Sequence, residues 1–223
     1  MRKISALTAA LILAIVCSPV LWPQTATTSQ SGETRKTSEP YTGDLSVFES
    51  AGRAERLQID QVMDLLGITA GKNVADIGAG SGWFTVRAAR RVGTMGTVFA
   101  VDINPKATRY IEDRARRENL GNLKVVLSQP DDPNLPPNAV DAVLLLKTYH
   151  EVEHPITLLR NLRPSLKRGA QVGIIERNGN GENHGVNRDV VIREATEAGY
   201  TVERQLDWKR DGMDYFLILK VRK

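Results

Sequence analysis

The chain has 223 residues, of which 41% are hydrophobic and 25% charged, enough for one α/β domain and too few for two large ones once the ends are set aside. Its formal net charge is only +4, and basic residues such as Arg87, Arg90 and Arg91 alternate with acids elsewhere instead of forming a long stripe, which excludes a nucleic-acid footprint. Cys17 is the only cysteine, so no intrachain disulfide and no thiolate metal site can form, and His150, His154 and His184 are too scattered for spacing alone to argue zinc.

The N-terminus reads as an export segment. Arg2 and Lys3 precede the apolar run ISALTAALILAIVCSPVLW, which is broken by Pro19 and closed by Pro23, and residues 1–26 contain no acid. The absence of a clean A-x-A site leaves cleavage open, and the run approaches the roughly 20 residues of a membrane span, so residues 1–26 are expected to be a signal peptide or a membrane anchor. In both cases the positive-inside bias puts the following domain outside the cytoplasm, periplasmic or secreted, tethered to the membrane if the segment is kept. Residues 27–43, dominated by Ser, Thr, Gln and Gly, read as a flexible linker, with a single domain over 44–223.

Within the domain, Leu57, Val62, Leu65 and Leu66 recur at helical intervals and predict one amphipathic helix over 53–66, ending at Gly67. Strands and helices then alternate: NVADIG, a helix over 82–92, TVFAVDI, a helix over 105–119, LKVVLS, the polar QPDDPNLPPNA, VDAVLLL, a helix over 155–166, AQVGIIER and a helix over 186–198. Apolar strands separated by helices argue for a parallel sheet covered on both faces. The last two strands, TVERQLDW and MDYFLILKV, are separated only by KRDG, which makes them an antiparallel hairpin. The expected fold is therefore α/β: a doubly wound, mostly parallel, seven-stranded sheet ending in an antiparallel hairpin.

The stretch VADIGAGSGWF carries the strongest chemical signal. Gly78, Gly80 and Gly82 remove every Cβ from one side of the loop, so a ligand can lie against the main chain, and exposed N–H groups at the start of the next helix suit an anionic or zwitterionic one. The pattern from Asp76 to Gly82 is D-x-G-x-G-x-G; the dinucleotide fingerprint G-x-G-x-x-G fails because Trp83 stands where its third glycine would be. Asp76 suits a ligand ammonium group. Asp102, about twenty residues on at the end of the second strand, is placed to take both hydroxyls of a ribose, or else to cap the helix that begins at Pro105.

Taken together, VADIGAGSGWFTVRAAR, VFAVDINP, QPDDPNLP and VDAVLLLKTYHEVEHP resemble the successive motifs of class I S-adenosylmethionine-dependent methyltransferases. The likeness covers about residues 50–222 and is nearest to the small-molecule group that includes ubiquinone/menaquinone-biosynthesis-type enzymes. It implies that S-adenosyl-L-methionine is the cofactor. Asp76 and the backbone of Gly78, Ala79, Gly80 and Gly82 would hold its methionine portion, Asp102 its ribose and Ile103 the face of its adenine. Asp131 would meet the adenine amino group with the Asp132 backbone beside it, unless PDDPNLPP is simply a turn. Two departures stand out. Leu166, Lys167, Arg168, Gly169 and Ala170 replace the usual LKPGG, and Glu151 occupies the second place of a histidine pair that many relatives carry.

A sulfonium is already a strong methyl donor, so alignment and exclusion of water matter more than covalent catalysis, and a base is optional. Tyr149 and His150 follow the fourth strand, and Glu176 ends the fifth at the same edge; these three are the candidate catalytic residues, His150 having a suitable intrinsic pKa for proton removal. His184, in NGNGENHGV, sits either on a lid over the acceptor or on an ordinary solvent loop. No metal is expected. The predicted activity is methyl transfer to an unidentified small molecule by in-line displacement. The alternatives are an exported nucleotide-binding module without catalysis and an NAD-linked dehydrogenase.

Overall fold

Short apolar runs that have no polar face become the central strands. The computed structural model describes residues 36–222; the expected export segment 1–26 and the first part of the expected linker lie outside the described residues. Every residue of β1 (Val74–Ile77) and β2 (Val98–Asp102) is buried, as strands covered on both faces require. With β3 (Leu123–Leu127), β4 (Val140–Leu146), β5 (Leu166–Glu176), β6 (Tyr200–Arg210) and β7 (Met213–Val221) they form a seven-stranded sheet in the order β3-β2-β1-β4-β5-β7-β6. The first five strands in that order run parallel, and β7 lies antiparallel between β5 and β6. This is the Rossmann-like methyltransferase fold expected from the sequence.

Alternation along the strands divides the core in two. Val74, Ala142, Leu144 and Ile175 meet α1 (Arg53–Leu57), α2 (Ile59–Leu65) and α3 (Trp83–Val92). Their neighbours Ala75, Ile77, Val143, Leu145 and Ile174 point the other way, to α5 (Pro155–Leu162) and α6 (Arg188–Glu197). Ile111 of α4 (Pro105–Arg117) packs on Ala100, the face opposite to Phe99 and Val101. Asn104 caps α4 by accepting from the Lys106 N–H at 2.9 Å, with Pro105 at its first position. The hairpin between β6 and β7 turns at Asp211 (φ 50°) and Gly212 (φ 78°), the paired positive dihedrals of a two-residue turn whose twist matches its strands.

Three expectations are corrected. The helix predicted over 53–66 is two helices, because Gln58 sits in the left-handed region at φ 57°. Trp208 Nε1 of β6 donates to the Leu57 carbonyl (3.2 Å), and Arg210 Nε donates to Gln58 Oε1 (3.0 Å), so a distant strand holds the break open. The helix predicted over 155–166 stops at Leu162: Pro164 brings no N–H to the ladder, the chain tightens into a 3₁₀ turn over Arg163–Ser165, and Leu166 already pairs with Val140. The described part of the expected linker, residues 36–43, is docked on the domain. Ser38 is buried, its hydroxyl donating to the Gly181 carbonyl at 2.8 Å and its N–H donating to the His150 carbonyl at 3.3 Å.

Helix α2 approaches β5 at Gly173, where an added Cβ would lie 2.9 Å from Phe216 Cε2 and 3.0 Å from both Leu66 methyl carbons. Gly173→Val should therefore overpack this face and cost about 1–3 kcal/mol. The check is a lowered urea midpoint with an unchanged slope.

Candidate active site

The strand order reverses between β1 and β4, and the crevice beyond the carboxyl ends of the strands at such a switch point is where ligands collect in open α/β sheets. A cavity of about 810 Å³ lies there, walled by the loops after β1, β2, β3 and β4 together with residues 37–41. Gly78 is a tightly packed point of its wall. It has φ 72°, and a Cβ on it would fall 2.1 Å from Thr148 Oγ1, so the main chain of the loop after β1 lies directly against the Thr148 side chain of the loop after β4.

The glycine loop does not present its amides outward as the sequence reading expected. The N–H groups of Gly78 and Ala79 both donate to the Val101 carbonyl (2.8 and 3.1 Å), that of Gly82 donates to Ala79 O (2.8 Å), and that of Gly80 donates to Asp102 Oδ2 (2.8 Å). What faces the cavity is bare main chain backed by carboxylates. Within the same loop, Ser81 Oγ donates to Glu49 Oε1 at 2.6 Å and Arg114 Nη1 donates to Ser81 O at 3.0 Å, which fixes the turn into α3.

Asp76 is the penultimate residue of β1 and lies on the cavity wall with only 3% of its surface exposed. Burial pushes its pKa up to about 7, against the opposing bond from Thr85 Oγ1 to Asp76 Oδ2 at 2.6 Å, with Asp102 adding to the rise. Asp102 is raised too, again by burial first, while the Asn104 N–H on Oδ1 (2.8 Å) and the Gly80 N–H on Oδ2 oppose the shift. Those two bonds fix the carboxylate rigidly, and each oxygen keeps further acceptor capacity. Ile103, 44% exposed, extends apolar wall beside it.

Arg53 is a cavity residue that sequence reasoning missed, since on a helix wheel it is one more polar position. Its Nε donates to Asp211 Oδ2 (3.2 Å), its Nη1 donates to Phe48 O (3.1 Å), and its guanidinium lies 4.4 Å from the Trp83 ring centre. Burial lowers its pKa from the ordinary arginine value, and Asp211, Glu49 and Asp76 oppose that. A half-buried cation thus shares the cavity wall with Asp76.

Asp131 and Asp132 are not on the cavity wall; Ser128, Gln129, Pro130 and Pro133 are. The chain doubles back between Gln129 and Asp132, whose backbones bond to each other, and Asp132 Oδ1 accepts from the Asn134 N–H at 2.9 Å. That turn uses the Asp132 side chain locally, and Asp131 O accepts from Asn161 Nδ2 at 2.9 Å on α5.

The far end of the cavity is polar. A 3₁₀ turn over Tyr149–Glu151 follows β4 and separates its three side chains. Tyr149 is fully buried in the core under α5 and does not reach the cavity, which removes it from the candidate catalytic set. His150 and Glu151 face the cavity. Glu176 does not: wholly buried at the end of β5, it lies behind His150 with Oε1 2.9 Å from His150 Nδ1, so it positions His150 and touches no ligand. Burial pushes Glu151 up to about 7 although His150 opposes the shift. His184 enters from the loop after β5, its backbone N–H donating to Ser38 Oγ (2.9 Å) and its ring centre 5.6 Å from that of His150. That glycine-rich loop is neither free lid nor plain solvent loop. A Cβ at Gly181 would lie 2.1 Å from Lys36 O, so it is clamped to residues 36–38.

Residues 74–169 match the family described as a methyltransferase domain. Curated relatives include the ubiquinone/menaquinone biosynthesis C-methyltransferase UbiE of Idiomarina loihiensis, 30% identical over 122 residues, or 54% of this chain and 49% of the relative. The Pseudomonas putida enzyme of the same name is 28% identical over 127 residues, covering 56% of this chain and 50% of its own length. The chain thus spans about half the length of the curated relatives it matches. Among solved structures, a SAM-dependent methyltransferase from Aquifex aeolicus superposes with a TM-score of 0.71 at 24% identity, over 80% of this chain and 98% of that one. The [4+2]-cyclase SpnF superposes at 0.66 with 16% identity, over 83% and 87% of the two chains. At these identities the likeness establishes the fold, and the fold alone does not fix the chemistry.

Gly78→Ala should cost about 1–2 kcal/mol for the left-handed backbone and a further ~1–3 kcal/mol for the collision with Thr148. Adding Thr148→Gly should return the second part only, a difference that denaturant titration of the two variants resolves.

Proposed function

We propose that the chain is an S-adenosylmethionine-dependent methyltransferase acting on a small-molecule acceptor. The observation that carries this reading is one cavity with a glycine-walled carboxylate end, Asp76 and Asp102, opening onto the polar end formed by His150, Glu151 and His184. Its volume is in the range of small-ligand sites. The match of residues 74–169 to a methyltransferase domain supports it further. The dehydrogenase alternative is not favoured, because β7 intervenes between β5 and β6 and the dinucleotide fingerprint is broken at Trp83. A module that only binds is not favoured either, since the acceptor end carries a dense set of ionisable groups.

The residues present fit the cofactor. Asp76 suits its ammonium group and Arg53 its carboxylate; Asp102, held by two backbone N–H groups, suits the ribose hydroxyls; Ile103, Gln129 and Pro130 offer walls to the adenine. When bound there, the cofactor supplies an electrophilic methyl group on sulfur. The chain's own contribution is to align that end with the acceptor and to exclude water, with residues 37–41 covering the polar end. His150, set by Glu176, receives the acceptor's reacting atom together with Glu151 and His184.

Calorimetry on the full chain should show binding of S-adenosylmethionine and S-adenosylhomocysteine in preference to NADH. Asp102→Ala should weaken it by about 1.5–3 kcal/mol, the scale of a charged hydrogen bond. Preference for NADH, or unchanged affinity in Asp102→Ala, would overturn the assignment.

A pH dependence follows from Asp76. Its carboxyl, pushed up to about 7, is mostly neutral in the free protein at pH 5.5 and mostly ionised at pH 7.5, whereas an ammonium ligand favours the ionised form. Cofactor affinity should therefore rise by about tenfold across that interval. In Asp76→Asn the rise should shrink to what Glu151 contributes; an identical rise in that variant refutes the role of Asp76.

A further inference from the structure

We propose that His150, Glu151 and His184 form a binding site for a divalent transition-metal ion of the zinc type at the polar end of the cavity. Each offers one ligand atom, and these atoms all lie within 4.8 Å of one another. His150 Nε2 is 3.8 Å from Glu151 Oε1, and the two imidazole rings meet edge to face at 87° instead of stacking. Zinc with two imidazoles and a carboxylate has bonds of about 2.0–2.2 Å, and its fourth position is open to water or substrate. Drawing the three atoms to that spacing takes rotation of the exposed His184 side chain, since His150 is fixed.

What fixes His150 is itself a feature of metal-holding histidines. Such a histidine donates its second ring N–H to a carboxylate or carbonyl, which sets the tautomer and turns the other nitrogen toward the ion. Here Glu176 Oε1 and Oε2 lie 2.9 and 3.1 Å from His150 Nδ1. The same carboxylate accepts the backbone N–H groups of His150 and Arg177, both at 3.3 Å, so its oxygens are acceptors and Nδ1 is the donor. Nε2 is then the lone-pair nitrogen on the Glu151 side.

The third ligand is brought by a dedicated arrangement. His184 has φ 56°, an uncommon conformation outside glycine, and is held there by Ser38 through its backbone N–H while the loop is clamped at Gly181. Two imidazoles with one carboxylate favour zinc-like ions over magnesium or calcium, which take oxygen ligands. The ion's open position faces the cavity. That it would there hold an acceptor's oxygen, nitrogen or sulfur rests on the methyltransferase reading; that it binds does not.

The test uses the untagged full chain without cofactor or acceptor. Titration with ZnCl₂ and metal analysis after dialysis should give one zinc per chain, and magnesium should not compete. His184→Ala, which alters an exposed side chain, and Glu151→Gln should each lower zinc affinity at least about tenfold, and His154→Ala, outside the cluster, should not. Glu176→Gln should lower it by about 10–100-fold and shift the visible spectrum of the Co²⁺ form, as loss of a ligand-orienting partner does. Substoichiometric zinc, or wild-type affinity in both His184→Ala and Glu151→Gln, overturns the proposal. Because cofactor affinity is measured separately, loss of the metal site and failure of the methyltransferase reading are distinguishable.

Discussion

The approach of Gly78 to Thr148 sets the separation of the two loops that bound the cavity, and the rest of the site is arranged around that spacing. With no side chain at Gly78, the end of β1 and the end of β4 meet across the switch point, and Asp76 and the 3₁₀ turn carrying His150 and Glu151 open onto one space. The loop can take this path because its amides are satisfied inside the protein, two on the Val101 carbonyl and one on Asp102. The Gly80–Asp102 bond then couples the loop after β1 to the end of β2.

The electrostatics of the cavity follow from burying carboxylates close to one another. Asp76 and Glu151 are both pushed up to about 7 by loss of water, and Asp102 is raised for the same reason. Such a space favours cationic ligands, which restore the ionised carboxylates. Arg53, tied to Asp211 at the hairpin turn, is the counterweight that lets a zwitterion fit and not only a cation. Under the proposed function this has a direct consequence for turnover: methyl transfer removes the sulfonium charge, so the spent cofactor is the less favoured of the two in a carboxylate-lined site.

How much was legible in the sequence depends on the range of the interaction that decided each feature. The strands were legible because their burial is written as uninterrupted apolar runs, and the hairpin because KRDG is too short for a crossover. Gly78, Gly80 and Asp102 were legible as a pattern of missing and acidic side chains. The break at Gln58 was not, because its cause is Trp208 and Arg210, about 150 residues away. Tyr149 and His150 are adjacent in sequence, and only the 3₁₀ turn decides which of them enters the core. Glu176 was legible as an acid at the right edge, but its place behind His150 depends on how the neighbouring loops pack. The direction of the loop amides and the Asp132 turn are likewise set by local hydrogen bonds that composition does not encode.

The residues of the cavity also come from two parts of the chain. Asp76, the glycine loop, Asp102, His150 and Glu151 fall within residues 74–169, the part that matches a methyltransferase domain. Ser38, Arg53, Glu176 and His184 fall outside it. The polar end is therefore assembled by bringing the segment before α1 and the loop after β5 onto a shared framework, with Ser38 bonding to His150, Gly181 and His184 at once. Relatives that share the framework need not share this assembly. Under the proposed function, acceptor chemistry is accordingly to be sought in Ser38, Glu176 and His184, where one hydroxyl holds the His184 backbone and one buried carboxylate holds the His150 ring.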